Sequence, residues 1–116
     1  MKIIEGIDSV IFDLDGTLWD ASEASAIAWN RAMGDLGIEM EEIEPIDIAS
    51  ISGKTPREFL SEIFKNAPPD ESMEWYSLCA RYEVEEIRAG RGLLREGIRD
   101  AFEVLSKEVP IFLVSN

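Results

Sequence analysis

The stretch "VIFDLDGTLWD", Val10 to Asp20, decides how this chain is read. Apolar residues run almost unbroken from Ile7 to Phe12 and include the branched Val10 and Ile11, the pattern of a strand buried on both faces. Asp13 falls at the carboxyl end of that strand, and Asp15 follows after one residue, just before Gly16 and Thr17. Two like charges at the end of a buried strand raise repulsion and desolvation cost unless a cation or hydrogen-bond donors compensate.

Three structures would place acids in this way. In a plain turn, Asp15 and Gly16 are turn formers and Thr17 a cap, which leaves Asp13 unexplained. A calcium loop of the EF-hand type also begins with acids two apart. It requires glycine at its sixth position, glutamate at its twelfth and a helix before it, whereas Gly16 would be fourth and a strand precedes it. In a phosphoryl site, magnesium binds between the carboxylates and the substrate phosphate and removes the like-charge penalty. One carboxylate could then attack phosphorus to give an acyl phosphate, while the other moves protons on the leaving group and on water. Gly16 would let the backbone turn close to the phosphate, free amides would donate to its oxygens, and Thr17 would add a hydroxyl.

Composition narrows the chemistry. The chain has 116 residues, with 24 acidic against 11 basic, for a formal net charge of -13. Nucleic acid and anionic membrane surfaces are therefore disfavoured as partners. No uninterrupted apolar run approaches the roughly 20 residues that span a bilayer, and Met1 to Gly6 does not read as an export signal. The single Cys79 cannot close an internal disulfide and fits a small buried position in a helix; a cytoplasmic location is the expectation. Histidine is absent, so any chemistry must use carboxylates, hydroxyls, amides and cations.

Beyond the acids the chain turns helical. Ala21 onward carries Ile27, Trp29, Ala32 and Met33 at helical spacing until Gly37 offers a stop. Glu39 to Ser52 is acidic, is interrupted by Pro45 and reads as a connection with a short helix. "TPREFL" starts another helix, with Thr55 as cap, Pro56 in the first turn and Glu58 completing a capping box. After "NAPPD", Asp70 is expected to cap a helix whose buried face includes Met73, Tyr76, Cys79, Tyr82 and Val84 or Ile87. Gly90 and Gly92 break that pattern, and a last helix near Arg95 to Lys107 precedes a second apolar strand, "PIFLVSN". In parallel α/β sheets the ligand site lies beyond the carboxyl ends of the strands, so Asp13, Asp15, Ser115 and Asn116 could converge there. A two-component receiver domain would also use an aspartate for phosphoryl chemistry, but it would place its next strand after one helix rather than several.

"FDLDGTLWD" resembles the first motif of the haloacid dehalogenase superfamily, and "IFLVSN" resembles its second. Between them, "AWNRAMGDLGI", "SGKTPREFL" and "LLREGIRDAFEVLSKEVPIFLVSN" are similar to the phosphoglycolate phosphatase and β-phosphoglucomutase branch. The resemblance implies an α/β fold: a Rossmann-like parallel core from residues 1–19 and 91–116, with an α-helical cap from residues 20–90. It implies Asp13 as the nucleophile that becomes the aspartyl phosphate and Asp15 as general acid and base. Magnesium would be bound by the Asp13 carboxylate and the Asp15 backbone carbonyl. The phosphate would rest on Gly16, Thr17, Ser115 and the Asn116 amide. Lys54 and Arg57, in "SGKTPRE", would offer positive charge to an anionic substrate from the cap, although Arg57 also fits a solvated place in the first turn of a helix.

The implied activity is a phosphatase of a small phosphorylated metabolite. A phosphomutase is the nearest alternative, and a non-catalytic phosphate- or partner-binding portion a further one. The superfamily's third motif, a lysine, and its fourth, an acidic pair, have no counterpart here, and Lys107 precedes the second motif. The core is therefore expected to be incomplete, as the amino-terminal portion of a longer phosphatase, with a second polypeptide supplying the rest of the core as a candidate partner.

Overall fold

The computed structural model of the protein describes residues 5–65, 67–68 and 70–115. In chain order the elements are β1 (Val10–Asp13), β2 (Trp19–Asp20), α1 (Ser22–Leu36), α2 (Pro45–Ser50), α3 (Pro56–Ile63), α4 (Ser72–Arg88), β3 (Leu93–Leu94), α5 (Ile98–Leu105) and β4 (Ile111–Val114). They divide into two compact units, one of Met1–Asp20 with Leu93–Asn116, the other of Ala21–Gly92.

The first unit is α/β. β1 and β4 pair in parallel, from Val10 opposite Ile111 to Asp13 opposite Val114. β2 and β3 form a short antiparallel pair, Trp19 opposite Leu94 and Asp20 opposite Leu93. The helix of this unit, α5, meets the sheet through Phe102, whose ring centroid is 5.1 Å from that of Phe12. Val10, Phe12 and Ile111 are accordingly half-buried. Ile11 and its partner Phe112 lie on the opposite face and are 65% and 53% exposed. The expectation of strands buried on both faces is thus corrected to burial on one: a strand face is covered only where another element lies on it, and α5 meets the Phe12 side.

The second unit is helical, with its core around Trp29. In α1 the residues Ala24, Ala28 and Ala32 are fully buried, and α1 packs on α4. Such small side chains let the two backbones approach closely. Trp29 is 3% exposed and is boxed by Phe64 at 5.7 Å and by Tyr76, edge-on, at 6.3 Å; Trp75 meets Phe64 at 5.6 Å. The Trp29 indole N–H is satisfied by Glu83 at 3.3 Å. Cys79 is fully buried in the same cluster, as its helical position implied. Gly37 ends α1 in the left-handed region at φ +69°.

Local signals fix the remaining helices. The Asn30 side chain accepts the Ile43 amide and donates to the Ile43 carbonyl, both at 2.8 Å, which ties the acidic connection to α1 ahead of α2. At the start of α3 the Glu58 carboxylate accepts the Thr55 amide at 2.7 Å and its hydroxyl at 3.0 Å, as the capping-box pattern predicted. Asp70 does not cap α4. That helix begins at Ser72, and the amides of Glu71 and Ser72 donate to the Pro68 carbonyl at 2.9 and 3.0 Å, so a backbone turn closes the helix entrance instead. Tyr76, Cys79 and Tyr82 form the inward stripe of α4, with Ile87 half-buried. Met73 and Val84, 53% and 47% exposed, fall outside it, because burial follows the line facing α1 rather than every apolar residue.

Candidate active site after the first strand

The chain turns sharply as it leaves β1. The Thr17 and Leu18 amides both return to the Leu14 carbonyl, at 3.2 and 3.0 Å, and the Gly16 amide donates to the Trp19 carbonyl at 2.9 Å. Gly16 has a φ of +75°, a conformation that a residue with a Cβ adopts only at a cost. Leu18, 3% exposed, anchors the loop from within.

This turn leaves Asp13 and Asp15 exposed at the carboxyl end of the parallel pair. The Thr17 hydroxyl lies 3.4 Å from Asp13 Oδ2, at the long limit of a hydrogen bond. The Trp19 indole N–H donates to Asp15 Oδ1 at 3.0 Å. Each carboxylate keeps its second oxygen without a partner among the described residues. Because Asp13 is opposite Val114, Ser115 leaves β4 at the same end of the sheet. Asp13, Asp15, Gly16, Thr17 and Ser115 are therefore grouped by topology, and Asn116 lies outside the described residues.

Lys54 and Arg57 belong to the helical unit. Lys54 stands in the loop before α3 with its ammonium 2.6 Å from Glu62 Oε1, and Arg57 is exposed in the first turn of α3. Lys107 follows α5, its ammonium 3.9 Å from Glu103. The helical unit also holds an open groove of about 380 Å³ whose lining includes Glu39, Glu41, Glu42, Asp47 and Glu62. So many carboxylates would repel an anionic ligand, and none of the grouped residues lines it.

The donor chemistry fits magnesium. Mg2+ takes hard oxygen ligands, retains several waters and needs only one or two groups from the protein beside a substrate phosphate. Asp13 offers a carboxylate, and the Asp15 carbonyl accepts no backbone hydrogen bond among the described residues, which leaves it open as a second oxygen. Among those residues no cluster of three or more acidic, cysteine or histidine side chains forms a metal cage, so this pair would bind a hydrated ion.

Two contributors escaped the sequence reading. Trp19 is a hydrogen-bond donor to Asp15. Arg95, read only as the start of a helix, donates its side-chain Nε to the Gly16 carbonyl at 3.1 Å. Both depend on the two-residue strands β2 and β3, which are too short to leave a periodic signal.

Residues 10–116 match the family model described as haloacid dehalogenase-like hydrolase. No curated protein matches the chain. Among solved structures, a haloacid dehalogenase-like family hydrolase from Streptococcus pneumoniae is 24% identical, with a TM-score of 0.75 over 97% of this chain and 50% of that one. A haloacid dehalogenase superfamily hydrolase of subfamily IA from Geobacter sulfurreducens is 24% identical, with a TM-score of 0.62 over 95% and 51%. A predicted phosphoglycolate phosphatase from Lactobacillus plantarum is 18% identical, with a TM-score of 0.72 over 93% and 49%. The chain thus spans about half the length of the solved structures that it matches. At these identities the structures speak for the fold, and the family model, which covers nearly all of the sequence including all four strands and the acidic loop, places the chain among the haloacid dehalogenase-like hydrolases.

Proposed function

We propose that the protein is, or forms part of, a magnesium-dependent phosphatase that acts on a small phosphorylated metabolite through an aspartyl-phosphate intermediate. The observation that carries this reading is the placement of Asp13 and Asp15 at the carboxyl end of a parallel pair, with Ser115 leaving the neighbouring strand beside them.

In this reading an Asp13 carboxylate oxygen attacks phosphorus as the bond to the leaving oxygen breaks. Asp15, protonated, gives its proton to that oxygen and the alcohol departs. Asp15, now a carboxylate, takes a proton from water as the water oxygen attacks the phosphorus, and the bond to Asp13 breaks to release inorganic phosphate. The amides of the Gly16 turn and the hydroxyls of Thr17 and Ser115 hold phosphate oxygens throughout. Magnesium, held by the Asp13 carboxylate and the Asp15 carbonyl, supplies positive charge that offsets the acids and the phosphate.

The cap, residues 20–90 and so nearly the whole of the helical unit Ala21–Gly92, sets substrate choice, with Lys54 and Arg57 as the cations offered to the substrate. The Lys54–Glu62 pair does not oppose this, since an exposed ion pair contributes only about 0–1 kcal/mol and an anionic ligand can displace it. Further polypeptide completes the sheet over exposed residues such as Ile11 and Phe112. A cytoplasmic location belongs to the same reading; among the described residues no helix is long and apolar enough to cross a membrane.

Hydrolysis of an aryl phosphate with and without magnesium tests the proposal. Magnesium-dependent turnover abolished by Asp13→Asn supports it, and turnover that survives Asp13→Asn sinks it. Phosphate binding without turnover would make the chain a binding portion rather than a working enzyme.

A further inference from the structure

The loop between β1 and β2 is held mostly by its own atoms: the bonds from Thr17 to Asp13 and from Trp19 to Asp15 each span four residues. Arg95 is the exception. It is the first residue after β3, and its backbone amide donates to the Leu18 carbonyl at 2.9 Å while its side-chain Nε donates to the Gly16 carbonyl at 3.1 Å. The antiparallel pairing of Trp19 with Leu94 and of Asp20 with Leu93 brings it there. Among the described residues, no other side chain from outside residues 13–19 hydrogen-bonds to the loop.

The peptide plane between Gly16 and Thr17 is consequently held at both ends, its carbonyl by Arg95 and its N–H by the Leu14 carbonyl at 3.2 Å. Gly16, at φ +75°, has no Cβ to oppose rotation, so this plane is the one in the loop that can turn over most easily. Turning it would reverse both bonds and move the neighbouring residues, Asp15 among them. A planar guanidinium donating through Nε fixes the direction of the bond as well as its length.

We propose that Arg95 is a positioning residue, which locks the Gly16–Thr17 peptide and thereby fixes Asp15 for proton transfer to the leaving group. This rests on the reading of Asp15 as general acid and base. Arg95 touches neither substrate nor reacting atoms in this role. Its loss misplaces the acid, and misplacement on the order of 1 Å commonly costs up to about a hundredfold in rate.

The test compares two phosphate monoesters, an aryl ester whose leaving group departs without protonation and an alkyl ester whose leaving group needs it. In Arg95→Ala, kcat/KM, which reports the first phosphoryl transfer and not the water attack common to both esters, should fall about tenfold or more for the alkyl ester and stay within about twofold for the aryl ester. Thr17 amide exchange, followed by NMR, should become about tenfold faster in the same variant and stay unchanged in Arg99→Ala. If Arg95→Ala does not fold, Arg95→Lys is read in its place, since it keeps the stem and charge but lacks the planar Nε donor. Asp15→Asn separates this proposal from the reading beneath it. If Asp15→Asn changes the alkyl-to-aryl ratio and the Arg95 variant does not, the role of Arg95 is overturned and the reading of Asp15 stands. If Asp15→Asn leaves the ratio unchanged, the reading of Asp15 falls, and the role of Arg95 with it.

Discussion

Trp19 donates its indole N–H to Oδ1 of Asp15 across 3.0 Å, so a residue at the start of β2 orients a carboxylate four positions earlier. The bond occupies one oxygen of Asp15 and leaves the other to exchange a proton. A hydrogen bond of this kind contributes on the order of 1 kcal/mol, which corresponds to roughly a fivefold effect on a step that depends on the orientation. Trp19→Phe keeps an aromatic ring and removes the donor. Alkyl phosphate turnover should drop several-fold, measured as kcat at saturating substrate, and a variant as fast as the parent would show that the indole does not orient Asp15.

Gly16 makes a sharper prediction. At φ +75° any side chain is strained, and Gly16→Val adds a β-branched one. The turn should open and inorganic phosphate binding, measured by calorimetry, should weaken by tenfold or more, while the helical unit keeps its near-ultraviolet signal from Trp29 and Trp75. Unchanged phosphate binding would exclude the turn as the phosphate cradle.

The Trp29 cluster governs the stability of the helical unit. Truncating a buried aromatic residue generally costs about 3–5 kcal/mol. Trp29→Ala removes the ring that meets both Phe64 and Tyr76 and should lower the urea midpoint accordingly. A loss below about 1 kcal/mol would mean that the cluster repacks around the gap.

Cys79 predicts an alkaline limit. Burial, with a further contribution from Glu83, pushes its thiol up from the ordinary 9.0 to about 12. The folded state therefore keeps its proton where the unfolded chain has lost it. The contribution is complete below pH 9.0 and is lost as pH rises from there toward about 12. Cys79→Ala should flatten that part of the stability–pH curve, and a thiol reagent should label the native protein at pH 8 only as fast as the protein unfolds.

Glu58 predicts the opposite slope at acid pH. Hydrogen bonds from the Thr55 amide and hydroxyl, in that order, hold its carboxyl below the usual glutamate value. That contribution is present above the unfolded value and is lost as pH falls through the folded one. Helix content followed by circular dichroism should fall less steeply on acidification in Glu58→Gln than in the parent, from a lower starting point.

Much of this was legible in the sequence where a signal is local. Gly37 stops α1 because glycine accepts the left-handed turn, and Thr55 with Glu58 starts α3 because the two side chains lie one turn apart. Asp13 was placed correctly at the end of β1 because an apolar run that stops at an acid marks a strand end. Long-range consequences were not legible. Neither the pairing of Trp19 with Leu94 nor the reach of Arg95 to Gly16 follows from any window of neighbouring residues. The exposure of Ile11 and Phe112 depends on what lies over the sheet, which an apolar run does not specify. Asp70 misled because a good capping residue competes with backbone turns, and the one at Pro68 closed the helix first.

The parallel pairing of β1 with β4 also bears on how the chain acquires its fold. Val10 and Ile111 are about a hundred residues apart, and contacts of such long range cost more chain entropy than local ones and form slowly. Residues Ala21–Gly92 form a compact unit of their own. Once they have folded, the flexible tether between β1 and β4 shrinks to the short segments on either side. The helical unit then precedes the sheet in time, and mutations such as Trp29→Ala should slow the appearance of the β1–β4 pairing although they lie in another unit. Stopped-flow refolding with separate probes for each unit would register this as a lag in the strand signal.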